Sequence, residues 1–273
     1  MKSTARALRF AGCCIGVGLL APALAQTPPA QPPANAPWYS AATVVNTAAD
    51  LPNWFAPNSF VAIFGTNLAY TTQALNLADI ASGILPKELP GTNVKVVVNG
   101  ISANVFYVSP QFMNVLLPTA LGPGPATLQL EVNGIAGPAI TINLQPTAPA
   151  VVTADWKTVF GVHANYTLIT ADAPARPNEW IFFFASGLGQ TNPPLISGQM
   201  PLYAAQLKDL ADFGVWIDGV PLDPASIHYA GVLPGAPGTY ELIVTLPATL
   251  PHNPAFRVSA GGVMSPPLIL NTP

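Results

Sequence analysis

Short runs of apolar residues at alternate positions recur along this chain, and proline or glycine ends most of them. Met113, Val115 and Leu117, for example, lie two residues apart and are followed directly by a proline. A period of two is that of a strand with one buried face, and proline cannot continue the hydrogen-bond ladder of a sheet. Only residues 75–81 and 204–211 could form a helical turn or two. The pattern predicts an all-β protein.

The apolar pattern of the first half returns in the second half. Phe60 and Phe64 correspond to Trp180 and Phe184 at an offset of 120 residues, and later strands correspond at an offset of 128. The offset changes inside segments rich in proline and glycine, where loops tolerate insertions at little cost. A repeat of this kind indicates that one structural unit has been copied.

Both copies carry a hairpin signal at the same place, Asn99-Gly100 in the first and Asp218-Gly219 in the second. Asn, Asp and Gly tolerate the positive φ angles of the two-residue turn whose twist matches the flanking strands. Each half holds about seven short strand candidates in roughly 105 to 125 residues, which is the size of an immunoglobulin-like sandwich. We therefore predict two tandem immunoglobulin-like β-sandwich modules, over residues 41–147 and 148–273.

The first 25 residues have the order of a secretory signal peptide. Basic residues are followed by an apolar run over 10–20 and by small residues, with cleavage expected after Ala25. An alternative is a lipoprotein cleavage site at Cys13, which small residues precede. The proline-rich segment 26–40 is expected to be an extended spacer. The sequence thus predicts an exported protein, periplasmic, cell-surface or secreted, and offers no run of about 18 apolar residues for a transmembrane anchor.

Charged residues are scarce, which limits the partners that the chain could bind. They make up 8% of the sequence, against about a quarter in an average soluble protein. Removal of residues 1–25 takes away three of the nine basic residues and none of the twelve acidic ones, so the formal net charge changes from −3 to −6. Nucleic-acid binding needs clustered Lys and Arg, and we predict no such partner. Both cysteines, Cys13 and Cys14, lie in the signal, so the processed chain would have no disulfide.

Several strings resemble a known family, the uncharacterised C-terminal domain of many exported proteins from Acidobacteria such as Solibacter. The matching strings are Val44–Ala49, Ala56–Ser59, Phe64–Leu68, Tyr107–Gln111 and Ser186–Gly189. The family is itself similar to the immunoglobulin-like, plexin and transcription-factor (IPT/TIG) folds, and the resemblance covers nearly all of residues 41–273. It implies a tandem of such modules and export, and it implies no activity, cofactor or catalytic residue.

Residues that could carry a reaction or hold a metal are few. Ser186 lacks the first glycine of a nucleophile elbow, and the three histidines are scattered along the chain. We therefore predict no catalytic residue, no cofactor and no enzyme activity. Asp212, Asp218 and Asp223 lie close together in sequence, and carboxylate oxygens are what calcium prefers. The turn at Asp218 explains that residue equally well, so we predict no metal, with a weak calcium site as the alternative.

The segment 181–185 is apolar at every position, whereas an ordinary sandwich strand faces water on one side. We expect Phe182 and Phe184 to share one face. Ile181 and Phe183 would then lie on the other, outward face, where the first module, a loop or a partner protein could pack against them. By the same alternation, Trp180 and Trp216 are expected in the core.

These observations favour a non-enzymatic, exported binding or structural module that acts through protein-protein contacts at the cell surface or in the periplasm. The alternative is a carbohydrate-binding accessory protein. In that case Trp54 and Trp156, which fall in predicted loops, would be the exposed aromatic residues that contact the glycan.

Overall fold

A computed structural model describes residues 35–273, and antiparallel β-sheets account for nearly all of the regular structure there. The predicted signal peptide at 1–25 and most of the predicted spacer at 26–40 lie outside the described residues. The all-β prediction is confirmed. Over the described range, no helix has the length and apolarity that crossing a membrane requires.

The first half of the described chain forms two sheets that enclose one core. Its strands are β1 (Val44–Asn46), β2 (Phe60–Phe64), β3 (Gln73–Ala74), β4 (Val94–Val98), β5 (Ile101–Ser102), β6 (Asn104–Val108), β7 (Phe112–Leu116), β8 (Gly124–Val132), β9 (Ile135–Ala136) and β10 (Ile140–Leu144). One sheet has the order β1-β2-β7-β6-β3, and the other has the order β10-β8-β4-β5, with β9 also beside β8.

The second half repeats this arrangement. Its strands are β11 (Ala150–Val151), β12 (Gly161–His163), β13 (Trp180–Ser186), β14 (Thr191–Asn192), β15 (Ala205–Leu207), β16 (Gly214–Ile217), β17 (Val220–Pro221), β18 (Ile227–Val232), β19 (Tyr240–Thr245), β20 (Ala255–Ala260), β21 (Val263–Met264) and β22 (Leu268–Ile269). The first of its sheets has the order β11-β13-β19-β18-β15-β14, with β12 also beside β13. The second has the order β17-β16-β20-β21, with β22 also beside β20.

The strand pairings show that the two halves are copies of one unit. The central trio β2-β7-β6 corresponds to β13-β19-β18, and the trio β8-β4-β5 corresponds to β20-β16-β17. Two tandem immunoglobulin-like sandwiches, as the sequence predicts, are therefore present. Four short 3-10 helices complete the described structure: η1 (Ala41–Thr43), η2 (Leu77–Asp79), η3 (Leu210–Asp212) and η4 (Pro224–Ser226). Of these, η2 lies within and η3 overlaps the two segments with helical potential.

Both predicted hairpins form where the sequence places them. Asn99 and Gly100 have φ angles of 47° and 78°, and Asp218 and Gly219 have φ angles of 48° and 79°. Each pair joins two antiparallel strands, β4 to β5 and β16 to β17. Two consecutive left-handed residues are what the tight hairpin turn requires, and this explains the residue types found there.

Each sandwich has its own hydrophobic core, and the chain passes from one core to the next between Leu144 and Val151. The first core includes Tyr39, which belongs to the segment predicted to be a spacer. The Tyr39 hydroxyl donates to the Pro138 carbonyl at 2.7 Å and accepts from the Leu130 amide at 2.7 Å. These two bonds fix the incoming chain on the sandwich, and burial raises the pKa of Tyr39 to about 12.

The predicted orientation of β13 is wrong. Ile181 and Phe183 are fully buried in the second core, and Phe182 and Phe184 lie half-buried on the outer face. The reason is that a segment apolar at every position carries no alternation that could set its register, and a shift of one residue reverses every side chain. The candidate partner contact at Ile181 and Phe183 is therefore withdrawn.

The prediction that Trp180 and Trp216 lie in the core is also wrong. Trp180 shares the outer face with Phe182 and is 50% exposed. Trp216 is half-buried on the outer face of its sheet, because Val215 and Ile217 on either side of it point into the core. The indole N–H of Trp216 donates to the Ser259 hydroxyl at 2.9 Å, so that side chain is bonded to the neighbouring strand β20.

The two sandwiches touch through more than the linker between them. The Leu85 amide donates to the Gly198 carbonyl and the Met200 amide donates to the Gly83 carbonyl, both at 2.8 Å. These bonds belong to a short bridge from the first sandwich to the connection 193–204 of the second. Backbone hydrogen bonds of this kind fix the register of two segments, so the sandwiches are joined at a defined place.

A loop of the second sandwich also packs on the first. Gly238, between β18 and β19, has a φ of 70°, and a Cβ added to it would lie 2.7 Å from Leu116 Cδ1 and 2.9 Å from Phe60 Cε2. Only glycine fits such a close approach in a left-handed conformation. The loop therefore covers part of the outer aromatic face of the first sandwich.

Candidate functional site

Trp54, one of the two predicted glycan contacts, lies at the linker. Its ring is half-buried, and its indole N–H donates to the Pro149 carbonyl at 3.0 Å. The bond joins the first sandwich to the start of the second. Because its polar atom is already bonded within the chain, Trp54 offers no free donor to a ligand.

Trp156, the other predicted glycan contact, is 58% exposed in the loop before β12. The carboxylate of Asp155 accepts hydrogen bonds from the Thr158 amide at 2.7 Å and the Lys157 amide at 2.9 Å. These bonds hold the pKa of Asp155 well below its ordinary value. They also fix a tight loop in which Trp156 has a φ of 63°. The ring is exposed on a hydrogen-bonded loop, and its contact with a glycan stays a prediction.

The carboxylates considered for calcium do not come together. Within residues 35–273, no group of three or more Asp, Glu, His or Cys side chains could hold a metal ion. Asp218 instead accepts from the Ala255 amide at 2.7 Å, and Asp223 accepts from the Ala225 amide at 2.9 Å as the N-cap of η4. Both residues stabilise turns, which accounts for their position in the sequence.

An exposed patch of rings lies on the outer face of the second sandwich, across β12, β13, β19 and β18. We call it the aromatic surface and define it by Phe160, Tyr166, Trp180, Phe182, Phe184 and His228. Phe182 and Phe184 form its floor because they are the outward residues of β13. Phe160 packs against Phe184 with ring centroids 6.0 Å apart.

Tyr166 lies flat on the floor of the aromatic surface. Its ring stacks on Phe182 at 5.7 Å with an interplanar angle of 26°, and 78% of the residue is exposed. A tight turn presents it: Tyr166 has a φ of 64°, and the Asn165 side chain accepts from the Thr167 amide and hydroxyl. A left-handed tyrosine is strained by about 1 kcal/mol or more. The turn therefore holds the ring in place at a cost in free energy.

A half-buried polar pair supports the base of this turn. His163 Nδ1 lies 2.6 Å from Glu179 Oε1, and His163 Nε2 lies 3.1 Å from the Ala173 carbonyl oxygen. The other oxygen of Glu179 accepts from the Arg176 amide at 2.8 Å. The pair connects β12 to the segment that leads into β13. These polar contacts hold the start of the loop that carries Tyr166.

Trp180 forms the second ring stack of the aromatic surface. Its ring lies 4.2 Å from the ring of His228 with an interplanar angle of 20°. A bulge between Ile227 and Tyr229 in β18 supplies the extra residue, His228, and His228 Nε2 is fixed by the Thr245 hydroxyl at 2.7 Å. Trp180 and Phe182 are two residues apart on one strand, so the two stacks are roughly 7 Å apart.

A cleft lies where the two sandwiches meet, and we call it the junction cleft. Its volume is about 510 Å³. Residues of both sandwiches and of the linker line it. Those of the first sandwich include Pro57, Asn58 and Leu121, and those of the second include Leu188, Leu195 and Tyr240. Neither sandwich alone could form it.

Asn58 and Tyr240 meet at the buried side of the junction cleft. The Tyr240 hydroxyl donates to the Gly189 carbonyl, and burial raises the pKa of Tyr240 to about 12. Asn58 is only 6% exposed, and its Nδ2 approaches Tyr240 but has no hydrogen-bond partner of normal geometry among residues 35–273. An unpaired buried amide costs about 1 to 3 kcal/mol. The cleft therefore contains a donor that the chain itself does not satisfy.

The repeat explains why Asn58 is present but not why it is buried. Asn58 and its counterpart Asn178 have φ angles of 62° and 60°. In both copies the amide N–H of this asparagine bonds a carbonyl at the end of a neighbouring strand, that of Leu117 or Pro247. Asn178 is exposed, whereas the second sandwich covers Asn58. Both copies thus share the turn, and only at the junction is its asparagine buried.

Two carboxylates lie at the open side of the junction cleft. Asp209 is the N-cap residue of η3 and Asp212 is its last residue, and both are exposed. Asp209 makes no side-chain capping bond, and neither carboxylate takes part in an ion pair within the described part of the chain. The nearest basic neighbour in sequence, Lys208, instead places Nζ 3.5 Å from Gln190 Oε1. The rim of the cleft is thus rich in free hydrogen-bond acceptors.

Sequence reasoning missed both the aromatic surface and the junction cleft. For Tyr166, the asparagine in Asn165-Tyr166-Thr167 was an available signal, because an asparagine side chain often starts a turn by accepting the backbone N–H two residues on. The alignment of Phe60 with Trp180 was a second signal, since Phe60 also lies on the outer face. The cleft had no local signal, because its residues come from distant parts of the chain.

No protein-family model and no curated protein matches this chain. Solved structures are similar to it at low identity. The surface glycan-binding protein PbSGBP-B from Prevotella bryantii is 12% identical, with 85% of this chain and 41% of that chain covered and a TM-score of 0.26. SGBP-B of the Bacteroides ovatus mixed-linkage glucan utilization locus, in complex with a mixed-linkage heptasaccharide, is 10% identical, with 80% and 43% covered and a TM-score of 0.32.

Domains 5-6 of the S-layer protein SbsC are 12% identical, with 87% of this chain and 100% of that chain covered and a TM-score of 0.25. The chain spans less than half the length of the two glycan-binding proteins. These likenesses concern the β-sandwich fold alone.

Proposed function

We propose that this chain is a non-catalytic, exported binding protein that recognises carbohydrate through the aromatic surface. The observation that carries the proposal is the pair of ring stacks, Tyr166 on Phe182 and Trp180 on His228, each of which leaves a ring widely exposed. Export rests on the sequence of residues 1–25. We assign the chain no reaction.

The chemistry of the aromatic surface suits a neutral sugar. The face of an aromatic ring carries partial negative charge, and the C–H groups on one side of a pyranose ring present partial positive charge to it. Because Phe182 and His228 already fix the exposed rings, little conformational entropy is lost when a ligand binds. With charged residues at 8% of the chain, contacts between rings, hydroxyls and amides are what such a surface can offer.

Protein-protein contact through the same surface is a second candidate, and the first sandwich provides the observation that favours it. Phe60 and Leu116, on the corresponding face of the first sandwich, lie under the loop that contains Gly238. A protein segment therefore covers this face in one copy. A partner protein would cover Trp180 in the other copy in the same manner.

Binding of the purified full chain to a polysaccharide panel tests the proposal. The panel holds β-glucans, xylan, galactomannan, chitin and peptidoglycan, and binding is followed by affinity electrophoresis and then calorimetry on soluble oligosaccharides. We expect Tyr166→Ala and Trp180→Ala each to weaken binding about tenfold, since each removes one stacking ring. Trp38→Ala and Tyr203→Ala are the matched controls, because both rings are exposed and lie outside the aromatic surface.

Three outcomes separate the candidates. Binding that depends on Trp180 and Tyr166 but not on Trp38 and Tyr203 supports carbohydrate recognition. Failure to bind any polysaccharide, together with a purified envelope protein whose binding is lost in Trp180→Ala, supports the second candidate. Polysaccharide binding that survives both ring substitutions refutes a role for the aromatic surface, and Trp156→Ala then tests the exposed loop.

A further inference from the structure

The junction cleft has the character of a second binding site. We propose that it binds a small sugar that carries an ammonium group, that is, an amino sugar, and that it does so independently of the aromatic surface. Three features of the cleft point to this class of ligand: its size and apolar walls, the free carboxylates at its rim, and the unpaired amide of Asn58.

The dimensions and walls of the cleft suit a small organic molecule. Ligand sites typically have about 300 to 1,000 Å³ and are found preferentially at domain interfaces, with apolar walls and a few polar groups. The junction cleft, at about 510 Å³, lies between two sandwiches and is walled by Pro57, Leu121, Leu188 and Leu195. Such walls accept the C–H groups of a sugar ring.

The rim of the cleft selects for positive charge. Asp209 and Asp212 are exposed, and neither takes part in an ion pair among residues 35–273. Lys208 is the neighbouring base, and it lies within bonding distance of Gln190. An ammonium group at the rim would meet two carboxylates, whereas a ligand carboxylate would be repelled by both.

The unpaired amide of Asn58 favours a cation that carries hydroxyl groups over an alkylammonium ion. Asn58 Nδ2 is a buried donor without a partner, so it needs an acceptor oxygen. A sugar hydroxyl or ring oxygen can accept, while an alkylammonium ion has no acceptor to offer. The counterpart Asn178 is exposed, which makes the demand for an acceptor a property of the junction and not of the repeat.

A series of three sugars that differ in charge tests the proposal. Glucosamine, glucose and glucuronate are titrated into the ¹⁵N-labelled full chain, and amide shifts of residues at the cleft, such as Gly189 and Gly261, are followed. We expect glucosamine to bind about fivefold more tightly than glucose, with glucuronate weakest, and the difference to shrink in high salt. Equal affinities for glucosamine and glucuronate would refute the charge selection.

Variants then locate the binding. In Asp209→Asn/Asp212→Asn, which alters two exposed carboxylates without touching the fold, the preference for glucosamine over glucose should vanish. Asn58→Gly keeps a residue that tolerates the left-handed turn and should weaken all binding about fivefold. Asn178→Gly makes the same change in the exposed copy and should leave binding unchanged.

The proposed binding of an amino sugar in the junction cleft is independent of the proposed carbohydrate recognition on the aromatic surface. Trp180→Ala should leave the glucosamine titration unaffected, and the cleft variants should leave polysaccharide binding unaffected. If glucosamine at millimolar concentration moves no cleft amide, or if its binding is lost in Trp180→Ala and retained in Asn58→Gly, the cleft is not a sugar site.

Discussion

Phe183→Ala is expected to destabilise the second sandwich strongly, and its neighbour Phe182→Ala only weakly. Phe183 is fully buried and packs against Phe256 with ring centroids 4.4 Å apart. Removal of a buried phenylalanine side chain costs about 3 to 5 kcal/mol, through lost burial and the cavity that remains. Phe182 is half-buried on the outer face, so its removal should cost about 1 to 2 kcal/mol.

The two substitutions form a matched pair, because they remove the same side chain from adjacent positions of one strand. Urea unfolding of the full chain, followed by tryptophan fluorescence and circular dichroism, gives the free energy of unfolding for each variant. Phe182→Ala should also weaken carbohydrate binding, since Tyr166 would lose the ring on which it stacks. If Phe182→Ala costs as much as Phe183→Ala or more, Phe183 is not the residue of β13 that faces the core.

Two further predictions concern the junction and the buried tyrosines. Gly238→Ala should destabilise the chain by about 1 to 3 kcal/mol, because its new methyl group would overlap the outer face of the first sandwich. At the control position Gly235 the same methyl group meets open space, so Gly235→Ala should cost only about 1 kcal/mol from left-handed strain. Equal losses of unfolding free energy in urea would contradict the contact at Gly238. The raised pKa values of Tyr39 and Tyr240 predict that their contribution to stability is full below about pH 10 and is lost as the pH rises toward 12, because the unfolded chain loses these protons first. Tyr240→Phe should make the unfolding free energy fall less steeply over this pH range. An unchanged pH profile in Tyr240→Phe would refute the prediction.

The hairpins and the duplication could be predicted because their signals are local. Asn99-Gly100 and Asp218-Gly219 need only two residues to specify a turn, and their flanking strands alternate cleanly. The orientation of β13 could not be predicted, since a strand that is apolar on both faces gives no period. The burial of Tyr39 could not be predicted because this residue follows a proline-rich segment. Its position depends on a hydrogen bond with Leu130, which is remote in sequence.

The sites depend on tertiary contacts that the sequence pattern does not encode. Trp180 is stacked because a bulge turns His228 toward it, and a bulge leaves little trace in an apolar alternation. Asn58 is buried at the junction, where Tyr240 of the second sandwich lies beside it. The corresponding residue in the other copy lies in the same turn with no such cover, so composition alone could not distinguish the two.

The bridge between Gly83–Leu85 and Gly198–Met200 has a practical consequence for anyone who would dissect this protein. A fragment that ends near residue 147 would lose the loop above Phe60 and Leu116 and expose an aromatic face to water. Such a fragment should be prone to aggregation when produced alone. Co-produced as two separate polypeptides, the halves should instead find each other and reassemble, which would make this chain suitable for split-protein complementation.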